Sequence, residues 1–178
     1  GSDPVLFRYA DPEIVQAILP VLAPVQRSRF FGSALAVAME PPSHGGVHHV
    51  QNPAPKANVP FGRLRLSQEQ YDQLGEALGK ALRRRAVIEF TSRINPGQRA
   101  ARSAQVIDAV DRAEHYGCST RNQVWEFIDW DLRHGPRFEL KAKYRGVLSQ
   151  LQDDELPAEE KMFRANQELQ FLERHGMR

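Results

Sequence analysis

The sequence is poor in cysteine, in long apolar runs and in net charge, and each shortage excludes a class of protein. Cys118 is the only cysteine among 178 residues, so no disulfide can form within the chain and a reducing compartment is expected. No apolar run approaches the roughly 18 residues that cross a bilayer, so no membrane contact is expected. The formal net charge of only +2 argues against a whole-molecule attraction to nucleic acid.

The composition is that of a folded domain. A hydrophobic fraction of 41% is enough for a core, and a charged fraction of 26% is ordinary for a globular chain. The length fits one domain, or a small piece followed by a domain. Gly1 and Ser2 are typical of a cloning remnant and a strand-like run follows almost at once, so the chain is expected to be a fragment of a longer protein.

The first thirty residues carry signals for one strand and two short helices. Residues 5–10 are rich in β-formers and predict a strand. Asp11 can cap the helix that follows, and Pro12 suits the first helical position because its missing N–H would have no partner there. Pro20 and Pro24 are expected to break this helix into two pieces.

A Pro- and Gly-rich stretch over residues 41–62 separates two kinds of sequence. The apolar run 34–39 before it predicts a short covered strand, and residues 47–51 within it predict an edge strand. We therefore expect residues 1–62 to be the end of an α/β lobe with an irregular connection. Residues 63–178 are expected to form a separate helical lobe.

Residues from Ser67 onward predict a helical bundle. Ser67 and Gln70 form a capping-box pattern, in which each side chain accepts a hydrogen bond from the other residue's backbone. The predicted fold class is α+β, mostly α, with a small N-terminal strand and helix remnant before a bundle of about five helices. Apolar spacing and breakers place these helices at about 67–94, 99–116, 120–134, 139–151 and 157–175.

Candidate catalytic and metal-binding residues are few. His48 and His49 are adjacent, and adjacent residues in a strand point to opposite faces, so only one could join His44 at a metal ion. Asp129 and Asp131 lie two apart on a helix and point about 200° apart, so they cannot easily share a substrate. We expect no enzyme activity, no metal and no cofactor, and a hydrolase using Asp129 or His134 is the weakest alternative.

Two features of the long helix at 67–94 are candidate binding sites. Gly75 and Gly79 are four apart, and each costs roughly 1 kcal/mol relative to alanine, a cost that is tolerable if another backbone approaches closely there. That backbone could belong to this chain or to a partner helix. Arg83 and Arg84, with Arg85, could pair with acidic neighbours or contact phosphate, so a nucleic-acid-binding helical module is the main alternative function.

Three aromatic residues lie off the predicted buried stripes. Trp130 does not fall on the stripe of its helix, and Phe163 and Phe171 miss the stripe that Met162 and Leu169 form. Exposed aromatic rings in a small domain often anchor protein partners, so these three are candidate partner-binding residues. The alternative is that they pack against a neighbouring helix or a missing part of the protein.

An ordered set of motifs resembles the C-terminal half of the type VI secretion effector adaptor and chaperone family, the Tap/Tec proteins. The match spans almost the whole chain, and the ordered set is more specific than any single element. Its elements are LFRYADP at 6–12, Phe31-Gly32, LSQEQYDQLGEA at 66–77, Arg112-Ala113, Tyr116-Gly117, Ser119-Thr120, Val124, Phe127, GPRF at 135–138 and LPAEEKM at 156–162.

The resemblance implies a non-enzymatic function. Such adaptors bind a cognate toxin effector in the bacterial cytoplasm and help to load it onto a VgrG or PAAR spike protein. The helical lobe is then the expected effector-binding surface, and a groove between helices is expected to take an apolar effector segment. The sequence departs from the family pattern at Ala10, at Asn122 and in the loop 41–60, which leaves the partner surface open.

Overall fold

The computed structural model describes residues 11–53 and 64–175 and is mostly helical. Within these ranges, 66% of the residues are helical, and seven α-helices accompany one two-stranded sheet, which confirms the predicted α+β, mostly α class. The predicted strand at 5–10 lies outside the described residues. No helix in the described ranges is both long enough and apolar enough to span a bilayer.

The chain divides into two compact units, Gly1–Arg85 and Ala86–Arg178. The predicted lobe boundary at residue 62 stays a prediction.

Helices α1 (Pro12–Ile18) and α2 (Pro24–Phe31) follow the capping and proline signals. The Asp11 carboxylate accepts a hydrogen bond from the Glu13 N–H at 3.0 Å, and Pro12 occupies the first turn. Pro24 begins α2. The helix ends before Gly32, whose φ of 55° is easily adopted only by glycine. The prediction of two short helices is confirmed.

A two-stranded antiparallel sheet follows, with β1 (Ala36–Met39) paired to β2 (His48–Gln51). Both strands were predicted, but β1 is not covered as expected, since Met39 is its only buried residue. The core of this unit comes instead from α1, α2 and the start of the next helix, α3 (Gln68–Thr91). Its buried members are Val15, Ala17, Ile18, Leu19, Leu22, Phe30, Phe31, Met39 and Leu74.

Helix α3 (Gln68–Thr91) begins with the predicted capping box. The Gln70 N–H donates to Ser67 Oγ at 3.2 Å, and the Ser67 N–H donates to Gln70 Oε1 at 3.0 Å. Two otherwise unpaired backbone donors are thereby satisfied at the point where the helix starts.

The unit Ala86–Arg178 contains α4 (Pro96–His115), α5 (Arg121–His134), α6 (Arg145–Leu151) and α7 (Ala158–Arg174). Contacts between α4 and α5, and between α6 and α7, build most of its tertiary structure. The predicted helix at 139–151 is wrong in its first half. Two 3₁₀ turns, Phe138–Leu140 and Ala142–Tyr144, stand there instead.

The backbone at Arg137 and at Lys141 departs from the helical conformation that the sequence predicted around residue 139. The Arg137 backbone is left-handed, with φ of 52°. Its N–H donates to Asp131 Oδ1 at 2.8 Å, which ties this turn to the C-terminal half of α5. Lys141 then adopts an extended conformation between the two turns. A tertiary hydrogen bond has outweighed the local helical pattern.

Candidate protein-binding surface

A buried ionic network ties α4 and α5 to the turn after α5. Arg112 donates to both oxygens of Glu139 at 2.6 and 2.7 Å and to Asp131 Oδ1 at 2.5 Å. Its Nε also donates to Asp108 at 2.9 Å. The side chains of Asp131 and Glu139 are fully buried, whereas Arg112 retains a little exposure. Burial alone would lower the pKa of Arg112, but the hydrogen bonds that it donates to Glu139 and Asp131, together with their negative charges, outweigh burial and raise the pKa.

Neighbouring groups satisfy the remaining polar atoms of this network. Gln105 Nε2 donates to Asp131 Oδ2 at 2.8 Å, and Arg137 donates to Asp108 at 2.7 Å, which lowers the pKa of the Asp108 carboxyl. Burial and the nearby Glu139 carboxylate raise the pKa of Tyr116 to about 12. Because each charge is already paired within the protein, the network acts as a structural clamp.

This clamp was missed at the sequence level, although one signal was present. Asp131 falls on the stripe of Val124, Phe127 and Ile128, where an apolar residue would be ordinary. A carboxylate at such a position needs a buried cation, and only folding shows that Arg112, nineteen residues away, supplies it. Asp129, in contrast, is exposed and pairs with Arg133 at 2.5 Å.

Trp130 is not part of a binding surface, which corrects the sequence-based expectation. It is only 1% exposed, and its ring lies 6.3 Å from that of Phe127 and 6.5 Å from that of Phe138. The sequence predicted one buried stripe on α5. The two 3₁₀ turns after α5 contribute the buried residues Phe138 and Tyr144. They cover a second face of α5, where Trp130 packs against Phe138.

Phe163 and Phe171 are exposed as predicted, at 57% and 52%. They lie eight residues apart on α7, which corresponds to about 12 Å along the axis and about 80° around it. The opposite face of α7 is buried through Met162, Ala165 and Leu169. The Phe171 ring stacks on that of His175 at a centroid distance of 4.1 Å. The two phenylalanines therefore share a broad outer face of α7.

Helix α7 is held closely against α6. A Cβ atom placed on Gly146 of α6 would lie 3.1 Å from a carboxylate oxygen of Glu168 on α7, which is tighter than normal packing. The buried residues Val147 and Leu151 complete the α6 side. The outer face of α7 is therefore presented on a well-supported helix.

A groove borders Phe163 between the start of α5 and the first half of α7, and we call it the Phe163 groove. Its volume is about 780 Å³, and its lining includes Asn122, Gln123 and Glu126 from α5 and Glu159, Met162 and Phe163 from α7. Glu160 also lines it and pairs with Arg164 at 2.7 Å. Partial burial raises the pKa of the Glu126 carboxyl, and the nearby Asp129 also raises it, while Arg133 lowers it.

A second, smaller groove of about 470 Å³ lies beside His134, between the end of α5 and the end of α7. The His134 ring packs 5.6 Å from Phe138 and 5.4 Å from Tyr144. Burial lowers the pKa of His134 more than the nearby Glu173 raises it. Its Nε2 lies 3.5 Å from the Glu173 carboxylate without forming a hydrogen bond. Glu173 therefore stabilises the neutral His134 ring only weakly.

The glycine pair on α3 is not a close-packing site among the described residues. A Cβ atom on Gly75 would meet nothing within 4 Å, and one on Gly79 would meet only the Arg83 guanidinium at 3.1 Å. The expected approach of another backbone of this chain is therefore wrong for its described part, and the contact with a partner helix at Gly75 and Gly79 stays a prediction. Both glycines belong to the unit Gly1–Arg85, whereas Phe163 belongs to the unit Ala86–Arg178.

Arg84 contacts a polar chain within the first unit. Its Nη1 lies 2.5 Å from His44 Nε2, the Nδ1 of His44 lies 2.8 Å from Ser43 Oγ, and that hydroxyl lies 2.7 Å from Glu13 Oε2. Because arginine can only donate, His44 accepts at Nε2 and donates from Nδ1, and Ser43 then donates to Glu13. Arg83 is partly buried and has an interaction of its own. The three arginines do not all point into solvent.

The single thiol should be inert in the folded protein. Cys118 is buried, and this burial raises its pKa to about 11. At pH 8 its thiolate fraction would be about two orders of magnitude below that of a free cysteine, whose pKa is about 8.5. We expect negligible reaction with a thiol reagent in native buffer and one reacting thiol per chain in denaturing urea. Rapid labelling of the native protein would contradict this placement.

Within residues 11–53 and 64–175, no group of three or more His, Cys, Asp or Glu side chains could hold a metal ion. Comparison with protein-family models, curated proteins and solved structures finds no match. The candidate protein-binding surface consists of the outer face of α7, which carries Phe163 and Phe171, and of the two grooves beside it.

Proposed function

We propose that this protein is an adaptor that binds a cognate toxin effector of a type VI secretion system and helps to load it onto a VgrG or PAAR spike protein. The observation that carries the binding role is the exposure of Phe163 and Phe171 on one face of α7. The identity of the partners comes from the ordered motifs in the sequence. The adaptor would act in the bacterial cytoplasm, by binding alone and without making or breaking a covalent bond.

Large exposed rings favour a protein partner on energetic grounds. Burial of apolar surface contributes roughly 25 cal/mol per Å², and a phenylalanine that is half exposed has much of its ring still available for this gain. Aromatic residues at the centre of an interface commonly contribute a large share of the binding energy. Phe163 and Phe171, about 12 Å apart along α7, could both lie within one interface of ordinary size.

The support beneath α7 favours tight binding. Its inner residues Met162 and Leu169 are buried, and α6 packs against it. The Arg112 network holds α4, α5 and the turn after α5 together. A surface that is already ordered loses less conformational entropy on association, so more of the contact energy appears as affinity.

The proposal predicts a stable complex that depends on the two exposed rings. The 178-residue chain would be mixed with the purified toxin encoded next to its gene, and affinity would be measured by titration calorimetry. Phe163→Ala and Phe171→Ala should each weaken binding by about tenfold or more, because each removes an aromatic anchor. The urea midpoint of each variant should stay near that of the parent, since both rings are exposed.

Ile107→Ala provides the matched control. Ile107 is an exposed apolar residue of the same unit but lies on α4, and its truncation should change affinity by less than about twofold. The absence of any complex with the neighbouring toxin and with the spike proteins would refute the adaptor function. Full affinity in the Phe163→Ala, Phe171→Ala double variant would refute the assignment of the surface.

A further inference from the structure

We propose that the Phe163 groove binds a short, positively charged amphipathic segment of the partner, with an apolar side chain against Phe163 and lysine or arginine side chains beside the groove's carboxylates. This inference rests on the proposed function for the source of the segment, since the effector would supply it. It adds the chemistry of what is bound.

The charge of the groove is one-sided. Glu126, Glu159 and Glu160 line it, and its lining contains no lysine, arginine or histidine. Among the described residues, Glu126 and Glu159 form no ion pair with a basic side chain, whereas Glu160 pairs with Arg164. Glu159 and Glu160 lie in the first turn of α7, a position that acidic side chains commonly occupy.

The basic residues nearest in sequence are already engaged elsewhere. Arg121 donates to Glu89 at 2.9 Å and stacks over the Trp125 ring at 4.9 Å. Lys161 is buried and lies 3.3 Å from Asp154. Because Glu160 is paired with Arg164, the carboxylates of Glu126 and Glu159 give the groove its net negative charge, which favours cationic ligands and raises their rate of encounter.

The apolar part of the groove requires an apolar side chain on the ligand in addition to positive charge. Met162 and the exposed Phe163 line it from α7, so a ligand carrying charge alone would leave this surface in water. A volume of about 780 Å³ lies within the range of about 300–1,000 Å³ that is usual for ligand clefts. That size suits a short peptide segment with one apolar anchor. Methionine at such a site can adapt its shape to different anchors.

The test uses three labelled synthetic peptides of about fifteen residues and the full 178-residue chain. The first carries lysines on one helical face and leucine and phenylalanine on the other. In the second every lysine is replaced by glutamate, and in the third the apolar residues are replaced by serine. Fluorescence anisotropy should show binding of the first peptide at least about tenfold tighter than of either other peptide.

Variants of the protein localise the binding. Phe163→Ala, and Glu126→Lys combined with Glu159→Lys, should each weaken binding of the first peptide by about tenfold, and the charge-reversed protein should now favour the glutamate peptide. Glu173→Lys makes the same charge change on α7 outside the groove that Glu159→Lys alone makes within it, and it should alter affinity by less than about threefold. Equal loss with Glu173→Lys would overturn the inference, because the attraction would then be a general effect of charge.

Two further outcomes separate this inference from the adaptor function. If the effector binds the parent and the charge-reversed protein equally well, the groove assignment is wrong while the adaptor function stands. If the lysine peptide binds as expected but no neighbouring toxin forms a complex, the groove assignment stands and the adaptor function fails. Sedimentation equilibrium tests a second copy as occupant, and self-association abolished by Phe163→Ala would overturn the peptide assignment.

Discussion

Replacing Arg112 with methionine should lower the free energy of unfolding of the unit Ala86–Arg178 by about 3–5 kcal/mol. Methionine keeps much of the side-chain volume but removes the cation between two fully buried carboxylates, Asp131 and Glu139. These carboxylates would then be left without their main partner, and a buried uncompensated charge is far more costly than a lost surface ion pair.

Tryptophan fluorescence during urea unfolding measures this effect specifically. Both tryptophans of the chain, Trp125 and Trp130, lie in α5 and therefore report on this unit. Arg164→Met is the matched control, because Arg164 forms an exposed pair with Glu160 one helical turn away. Such a pair contributes about 0.3–0.5 kcal/mol.

A rescue experiment separates charge from packing. Adding Asp131→Asn and Glu139→Gln to Arg112→Met neutralises both carboxylates while nearly conserving their shapes, and most of the lost stability should return. If Arg112→Met costs no more than Arg164→Met, the network does not stabilise this unit. If the triple variant is no more stable than the single one, lost packing rather than buried charge explains the effect.

Trp130→Ala should destabilise the same unit by about 3–5 kcal/mol, the range for truncating a large buried aromatic residue. The indole is almost wholly buried and packs against Phe127 and Phe138, so its removal leaves a cavity that the surrounding rings cannot easily fill. Urea unfolding followed by the fluorescence of the remaining Trp125 gives the free energy.

The comparison with Phe163→Ala distinguishes a core ring from a surface ring. That substitution removes a ring that is 57% exposed and should change stability by less than about 0.5 kcal/mol. The two variants are thus expected to have opposite phenotypes, with stability lost in Trp130→Ala and binding of the proposed effector lost in Phe163→Ala. A Trp130→Ala protein of parental stability that no longer binds the effector would place Trp130 in the interface after all.

Helix starts and breaks were predictable because their causes are local. Asp11 and Pro12 begin α1, and Ser67 with Gln70 begins α3, in each case through groups no more than three residues apart. Thr120 caps α5 in the same way, because its side chain accepts a hydrogen bond from the Gln123 N–H at 3.4 Å. A short segment already contains both partners of such a hydrogen bond, so its sequence is sufficient.

The candidate surface was only partly predictable, because exposure depends on what covers a helix. Phe163 and Phe171 miss a stripe that the structure shows to be the only buried face of α7, so their exposure was predicted correctly. Trp130 misses an equally clear stripe on α5, yet the turn after α5 covers it. Periodicity identifies one buried face and gives no information about a second.

The amino-acid sequence by itself determined the fold class, the capped helix starts, the proline breaks and the apolar stripes, because each depends on neighbours within a few residues. Tertiary structure alone decided that Arg112, Asp131 and Glu139 meet in one buried network, that residues 138–144 form turns instead of a helix, and that Trp130 belongs to the core. Those outcomes depend on groups up to 27 residues apart, whose pairing is favourable only when burial has removed the competing water.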